Sequence, residues 1–199
     1  MKIGILDYGA GNTRSVQFAL KRLGHEGVLS NDLDILQSCD KIIFPGVGEA
    51  SSAMIRLKEH KLDTFIKETK KPVLGICLGM QLLCKSSQEG NTLCLGIIDA
   101  EVKRFPNEFQ NKKFKVPQVG WNSIYGLSTK LFSTIAENTF VYYVHGYYVP
   151  ICTNSIAVTD YTFVYSAALN KDNFYATQFH PEKSGAVGES ILKNFIELI

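Results

Sequence analysis

Residues 72–81 read Pro72-Val73-Leu74-Gly75-Ile76-Cys77-Leu78-Gly79-Met80-Gln81. A short apolar run, a cysteine between two glycines and a helix-compatible stretch follow one another with no linker. A strand that turns sharply into a helix strains the turn residue and lifts its side chain clear of the sheet. Flanking glycines let neighbouring backbone pass without Cβ clashes. The helix start behind the turn favours a thiolate. The pattern G-x-C-x-G in this setting reads as a nucleophile elbow built on Cys77. A buried cysteine in a glycine-rich turn is the plainer alternative.

Outward from the elbow, the first half of the chain alternates strand and helix. Lys2–Asp7 is a short apolar strand, and Thr13–Leu23 has helical spacing through Val16, Ala19, Leu20 and Leu23. A second strand begins at Val28–Leu29. A short helix over Asp32–Ser38 is capped near Asn31, and Asp40–Phe44 is a third strand. Ala50–Glu68 has the length of one long helix or two short ones. Pro72–Ile76 is the fourth strand, and a helix runs from Met80 to about Ser86. Strands alternating with helices imply right-handed crossovers and a mostly parallel sheet. After Glu89 the texture becomes β-rich, with strands expected over 95–105, 116–119, 140–149, 156–160, 163–169 and 174–178, before a last amphipathic helix over Gly185–Ile199. The expected fold class is α/β: a mostly parallel central sheet flanked by helices, with an added β-rich antiparallel lobe in the second half. One domain over residues 1–199 is expected, since neither repeat nor linker interrupts the chain.

Composition narrows the function. The chain has 199 residues, 45% of them hydrophobic and 20% charged, which excludes a disordered chain. Lys+Arg number 21 and Asp+Glu 19, a formal charge of +2. Such a balance leaves no general footprint for nucleic acid or an anionic membrane. Apolar runs such as Lys41–Phe44 and Pro72–Leu78 are strand-length, far short of a membrane span. The opening MKIGILDYGAGN reads as a strand and turn rather than a targeting leader, so a cytosolic location is expected. Five cysteines, an odd number with no C-x-x-C pair, give no disulfide framework.

A thiol nucleophile needs a base, and the base an orienting acceptor. His25 lies in a Gly-His-Glu-Gly turn and His60 in a charged helix, and both read as solvated. His145 follows the aromatic strand Tyr142-Tyr143-Val144. His180 precedes Pro181 and stands two residues before Glu182. A tight turn there brings the carboxylate onto one imidazole nitrogen and leaves the other for the thiol. A third strand end carries Pro45-Gly46-Val47-Gly48, whose backbone can supply an oxyanion donor beside the N–H of Leu78. All three pieces fall at carboxyl ends of parallel strands, where open α/β sheets bind ligands.

With GICLGMQ at Gly75–Gln81 and QFHPEKS at Gln178–Ser184, the chain resembles the triad-type class I glutamine amidotransferases. LDYGAGN at Leu6–Asn12, FPGVGEA at Phe44–Ala50, VGWN at Val119–Asn122 and YVHGYYV at Tyr143–Val149 are similar to the branch that feeds ammonia to a cyclase subunit in histidine biosynthesis. By that resemblance Cys77 is the nucleophile, His180 the general base and then acid, and Glu182 the group that orients it. Val47 and Leu78 supply the oxyanion hole, with the Gly46–Val47 peptide as its movable part. Gly46, Gly48, Gln81, Glu89, Gly146 and Tyr147 form the glutamine site. The partner is the cyclase, a (β/α)8 barrel, met by Asn12, Gln118, Trp121, Asn122 and Lys183. No metal or organic cofactor is implied.

Two positions depart from the family pattern. Gln118 stands where a histidine is usual after Pro117, which removes any cationic role there. Gly146 stands where Ser or Thr is usual, which keeps a backbone contact to glutamine and loses a hydroxyl one. Three other readings share some of these residues. The same glutaminase chemistry could serve amidation of a surface sugar. A catalytically inactive relative would act only in regulation, against which the intact Cys77, His180 and Glu182 speak. An esterase with a cysteine nucleophile would place its acid before the histidine, whereas Glu182 follows His180.

Overall fold

A computed structural model describes residues 1–199, the side chain of Lys112 excepted. In chain order the elements are β1 (Ile3–Leu6), α1 (Thr13–Arg22), β2 (Gly27–Ser30), α2 (Leu33–Gln37), β3 (Lys41–Gly46), α3 (Ala50–Glu59), α4 (Leu62–Glu68), β4 (Val73–Cys77), α5 (Leu78–Leu83) and β5 (Cys84–Ser87). There follow β6 (Thr92–Leu93), β7 (Ile98–Arg104), β8 (Glu108–Phe109), β9 (Lys112–Lys113), β10 (Gln118–Ile124) and β11 (Thr139–His145). The chain closes with β12 (Tyr147–Tyr148), β13 (Ser155–Asp160), β14 (Val164–Lys171), β15 (Phe174–Thr177) and α6 (Gly185–Leu198).

Seven strands form the central sheet in the order β13-β14-β15-β4-β3-β1-β2. From β15 to β2 all neighbours are parallel, while β14 and β13 add an antiparallel edge. The central strands are buried on both faces, as a sheet covered by crossover helices requires. Alternation along each strand splits the core in two. Ile42, Phe44 and Val73 pack with Leu57, Leu62 and Phe65 of α3 and α4. Ile3, Ile5, Ile43, Leu74 and Ile76 pack with Val16 and Leu20 of α1 and with Ile191, Leu192 and Phe195 of α6.

Several boundaries differ from those read in the sequence. The Ala50–Glu68 segment is two helices, broken where Lys61 takes a left-handed conformation with φ 56°. The cap of α2 is Asp32 rather than Asn31, its Oδ1 accepting from Asp34 N at 2.9 Å and Ile35 N at 3.2 Å. The helix expected to reach Ser86 stops at Leu83, and Cys84–Ser87 becomes a strand between β6 and β7. The strand expected to end at Phe44 continues through Pro45 to Gly46, paired along β4.

The β-rich half divides three ways. The antiparallel addition is present as the β10–β11 ribbon, beside a four-stranded sheet β12-β7-β5-β6. The strands β13, β14 and β15 instead extend the central sheet. Phe174, Ala176 and Thr177 of β15 are buried, and that strand lies against β4 with Ala176 opposite Gly75. The run expected over 140–149 breaks at Gly146, because β11 pairs with β10 and β12 with β7.

Candidate active site

The strand order brings three separate segments together. Strand β4 lies between β3 and β15, with Gly46 opposite Cys77 and Thr177 opposite Ile76. The residues after Thr177 therefore leave the sheet beside Cys77. Cys77 itself sits at φ 54°, ψ −108°, an unfavourable conformation for a non-glycine residue that costs on the order of 1–3 kcal/mol. Packing over-determines it. A Cβ on Gly79 would lie 1.9 Å from the Phe44 carbonyl oxygen, and one on Gly46 2.7 Å from both Gly79 N and the Tyr8 hydroxyl. The helix behind Cys77 is only six residues long, under two turns. Its dipole is accordingly small, and individual hydrogen-bond donors must carry the stabilisation of a thiolate.

His180 is held by its backbone. Its N–H donates to the Tyr142 carbonyl at 2.9 Å, and its carbonyl accepts from Ser184 Oγ at 2.7 Å and Lys183 N at 3.0 Å. A single 3-10 turn over Pro181–Lys183 folds Glu182 back so that Oε1 meets His180 Nδ1 at 2.8 Å. Both side chains are 1% exposed. Burial alone would lower the His180 pKa. The Cys77 sulfur and the Glu182 carboxylate outweigh it and push it up to about 10. With Nδ1 taken by Glu182, Nε2 is buried with no hydrogen-bond partner among the described residues and is left free on the side of Cys77. The Cys77 sulfur also lies 3.8 Å from the Val144 carbonyl and 3.8 Å from Gln178 Nε2.

A cavity of about 230 Å³ opens above the sulfur, the size of a small metabolite. Val47, Gly48, Cys77, Leu78, Gln81, Glu89, Gly146 and Tyr147 all line it, together with Val144 and His145. Gly46 stands behind this wall rather than in it, packed on Leu78 and Gly79. Burial raises the Glu89 pKa, the Ala50 N–H that donates to its Oε2 at 2.8 Å opposes the shift, and Glu49 adds to it. Gln81 Nε2 donates to the Tyr147 carbonyl at 3.1 Å and to Gln178 Oε1 at 3.0 Å. A larger groove of about 690 Å³ between α2 and α4 holds neither cysteine nor histidine in its lining. Volume alone does not mark the chemical centre.

Three supporting residues were assigned no role from the sequence. Tyr8 donates from its hydroxyl to the Pro45 carbonyl at 2.8 Å, directly beneath the Gly46–Val47 segment. His145 is buried, its Nδ1 2.6 Å from the Tyr147 carbonyl and its Nε2 3.1 Å from the Tyr165 hydroxyl. Burial lowers its pKa to about 4, with His180 adding to the shift and the Tyr147 carbonyl opposing it. The ring is therefore neutral near pH 7, and its Nδ1–H donates to Tyr147. Gln178 is fully buried against Cys77. Only Gln178 left a signal in the sequence, since two residues along a strand-like segment share a face and Gln178 stands two before His180.

The residues expected at a partner surface separate. Trp121 is 55% exposed and packs edge-on against Tyr142. Lys183 is exposed, and Asn12 and Asn122 are half-buried. Gln118 is not on that surface: it is 3% exposed, and its side-chain amide meets the Tyr165 hydroxyl at 2.7 Å. Its place on β10 opposite His145 turns it inward. His25 is half-buried and His60 exposed, both outside the cavity.

Comparison with known proteins shows the family and the fold. Residues 4–198 match the family model described as glutamine amidotransferase class-I. Over 199 residues, all of both chains, the sequence is 57% identical to "Imidazole glycerol phosphate synthase subunit HisH" of Bacteroides fragilis strain YCH46. It is 46% identical over 200 residues to the protein of that name in Yersinia pseudotuberculosis, again across all of both chains. Among solved structures, a putative GMP synthase protein from Thermoplasma acidophilum superposes with a TM-score of 0.73 at 22% identity, covering 98% of this chain and 92% of that one. PurLQS from Thermotoga maritima gives a TM-score of 0.72 at 17% identity, with 99% and 98% covered. Those two likenesses show the fold.

Proposed function

The chain belongs to the class-I glutamine amidotransferase family, and from that membership we propose how its residues divide the work. It is a glutamine-hydrolysing subunit of imidazole glycerol phosphate synthase, in histidine biosynthesis. The Cys77 sulfur attacks the side-chain amide carbon of glutamine. As the tetrahedral state collapses, the C–N bond breaks, His180 gives its proton to the leaving nitrogen, and ammonia departs from a glutamyl thioester. His180 then takes a proton from water, whose oxygen displaces the sulfur and releases glutamate. Glu182 holds the ring in the orientation this needs.

The N–H groups of Leu78 and Val47 receive the oxyanion of both tetrahedral states. Losing one such donor costs on the order of 10²–10³ in rate. The cavity backbone at Gly48, Gly146 and Tyr147, with Gln81 and Glu89, holds the amino acid. Gly46 provides the pivot for the Val47 peptide. The chain works as one domain over residues 1–199, in the cytoplasm, and no helix among the described residues is long and apolar enough to cross a membrane.

The partner is the cyclase, a (β/α)8 barrel that receives the ammonia and forms imidazole glycerol phosphate and aminoimidazole carboxamide ribotide. The β10–β11 ribbon supports that reading, because Val119 and Trp121 on one strand and Phe140 on the other leave large apolar groups 55–58% exposed. Asn12, Trp121, Asn122 and Lys183 meet the partner, and Gln118 supports that surface from beneath.

The observation that supports the assignment is a buried His180 ring, pinned at Nδ1 by Glu182 at 2.8 Å with Nε2 left free, on the segment that leaves the sheet beside Cys77. The test is Cys77→Ala in complex with the cyclase. Synthesis from glutamine is expected to vanish, while synthesis from added ammonium salt persists. Full retention of glutamine use would overturn the assignment.

A further inference from the structure

The buried amide of Gln178 has no role in the chemistry above, and its surroundings define which way it faces. Gln178 is 0% exposed, so both ends of its amide need partners inside the protein. Amide orientation follows from partners whose roles are unambiguous. The Tyr147 carbonyl can only accept, so the end of Gln81 that touches it at 3.1 Å is the NH2 group. That same nitrogen lies 3.0 Å from Gln178, which must therefore present its oxygen. The nitrogen of Gln178 is then the end directed at the Cys77 sulfur, 3.8 Å away. Gln81 keeps its own Oε1 unpaired among the described residues, in a side chain that lines the cavity.

We propose that Gln178 is a further catalytic residue of the glutaminase reaction: its N–H donates to the Cys77 sulfur and favours the thiolate, while its Oε1 locks Gln81 so that a carbonyl oxygen faces the substrate. The proposal rests on the glutaminase reading and deepens it. A helix of six residues offers the sulfur little, and His180 supplies one donor. Gln178 supplies a second from the same segment, just past β15, one that does not leave when His180 gives up its proton. The locked Gln81 selects substrates that bring an N–H or N⁺–H group to that point of the cavity, and it disfavours a carboxylate there.

Two variants of the full chain separate the two arms. Gln178→Met keeps the length and removes both. Gln81→Met removes the substrate arm and leaves the Gln178 N–H on the sulfur. The first readout is iodoacetamide alkylation of Cys77 against pH, followed on the Cys77 peptide by mass spectrometry, which needs no glutamine. In Gln178→Met, alkylation at pH 7 is expected to slow on the order of 10-fold, the scale of a lost hydrogen bond to a charged group. Its profile moves to higher pH, whereas Gln81→Met keeps the wild-type profile. The second readout is glutamine hydrolysis in complex with the cyclase. Gln81→Met is expected to raise KM with little change in kcat, and Gln178→Met to raise KM and lower kcat. Should Gln178→Met fail to fold by circular dichroism, Gln178→Leu carries the same test. Superimposable alkylation profiles in a folded Gln178 variant, or an equal shift in Gln81→Met, would overturn the proposal. A wild-type chain that alkylates as expected yet hydrolyses no glutamine with the cyclase sinks the glutaminase reading instead.

Discussion

Gly79→Ala tests how closely the elbow is pressed onto the neighbouring strand. The added methyl would sit 1.9 Å from the Phe44 carbonyl oxygen, where real Cβ contacts do not fall below 3.0 Å. The start of α5 must then move from β3 by at least 1.1 Å, the difference of those two distances. Neither side yields easily: Phe44 is fully buried and pairs with Gly75 inside the central sheet. Overpacking of a close-packed core costs about 1–3 kcal/mol, and an obstacle made of strand backbone places this case at the upper end. For a chain of this length about 3 kcal/mol lowers Tm by roughly 6–12 °C. The same displacement re-aims the Leu78 N–H relative to the cavity, and a misplacement of about 1 Å costs on the order of 10² in turnover. Gly146→Ala is the control, since its new methyl meets only Val116 Cγ1 at 3.8 Å, an ordinary contact. Its stability is expected within about 0.5 kcal/mol of wild type. Thermal unfolding by circular dichroism and glutamine hydrolysis with the cyclase measure both. A Gly79→Ala chain that melts within about 2 °C of wild type and turns over normally would refute the packing argument.

Two further outcomes follow from the histidines. Glu182→Gln is expected to lower kcat for glutamine on the order of 10²–10⁴. His180 is held up to about 10 against an ordinary 6.5, so its charged form stabilises the fold fully below pH 6.5 and that contribution is lost as pH rises through about 10. Without the Glu182 carboxylate that contribution is smaller, so urea unfolding should show the variant furthest below wild type near pH 6.5, with the gap closing toward pH 10; parallel curves would count against the pair. His145 behaves in the opposite sense. Its folded value of about 4 lies below the ordinary 6.5, so stability is lost as pH falls through that window, by at most about 1.4 kcal/mol per pH unit. His145→Gln should flatten the slope of stability between pH 6.5 and 4, and an unchanged slope would show that His145 already carries charge when folded.

The parts of the site that could be read from residues are those made by near neighbours in the chain. Gly75–Gly79 announces a strand turning into a helix, and His180-Pro181-Glu182 announces a turn tight enough to place a carboxylate on a ring. Each is settled within five residues, by sterics that hardly depend on the rest of the molecule. The β-rich second half was harder for the same reason. Strand-like runs such as 156–160 and 174–178 show that they pair, but not with what. A partner is chosen by which sheet edge can take a strand buried on both faces, and β15 meets that need beside β4. A separate lobe for β13–β15 misplaces the strand that leads into His180, although the motif on its end is local enough to read. The helix after Cys77 came out too long, because 84–87 suits a helix as well as a strand until β6 and β7 are in place to accept its backbone.

The supporting groups that escaped notice are all products of strand order. Tyr8 on the β1 side reaches Pro45 on β3 only because those strands are adjacent. The line from Gln118 through Tyr165 to His145 joins three strands drawn from two sheets. That line also explains why Gln118 looked like a surface residue. Its neighbours Val119 and Trp121 are exposed, but strand parity sends residue 118 to the opposite face from 119, into the space below the cavity. A histidine, the usual residue there, and a glutamine both offer a donor to the phenol oxygen of Tyr165. With an N–H arriving from position 118, Tyr165 can give its single proton to His145 Nε2, and His145 can give its own to Tyr147. The amide orientation in which Gln118 accepts from Tyr165 leaves Nε2 of a neutral His145 without a proton to receive. The departure from the family pattern at residue 118 therefore falls where only a neutral donor is required, and the chain of hydrogen bonds that shapes the cavity floor survives the exchange.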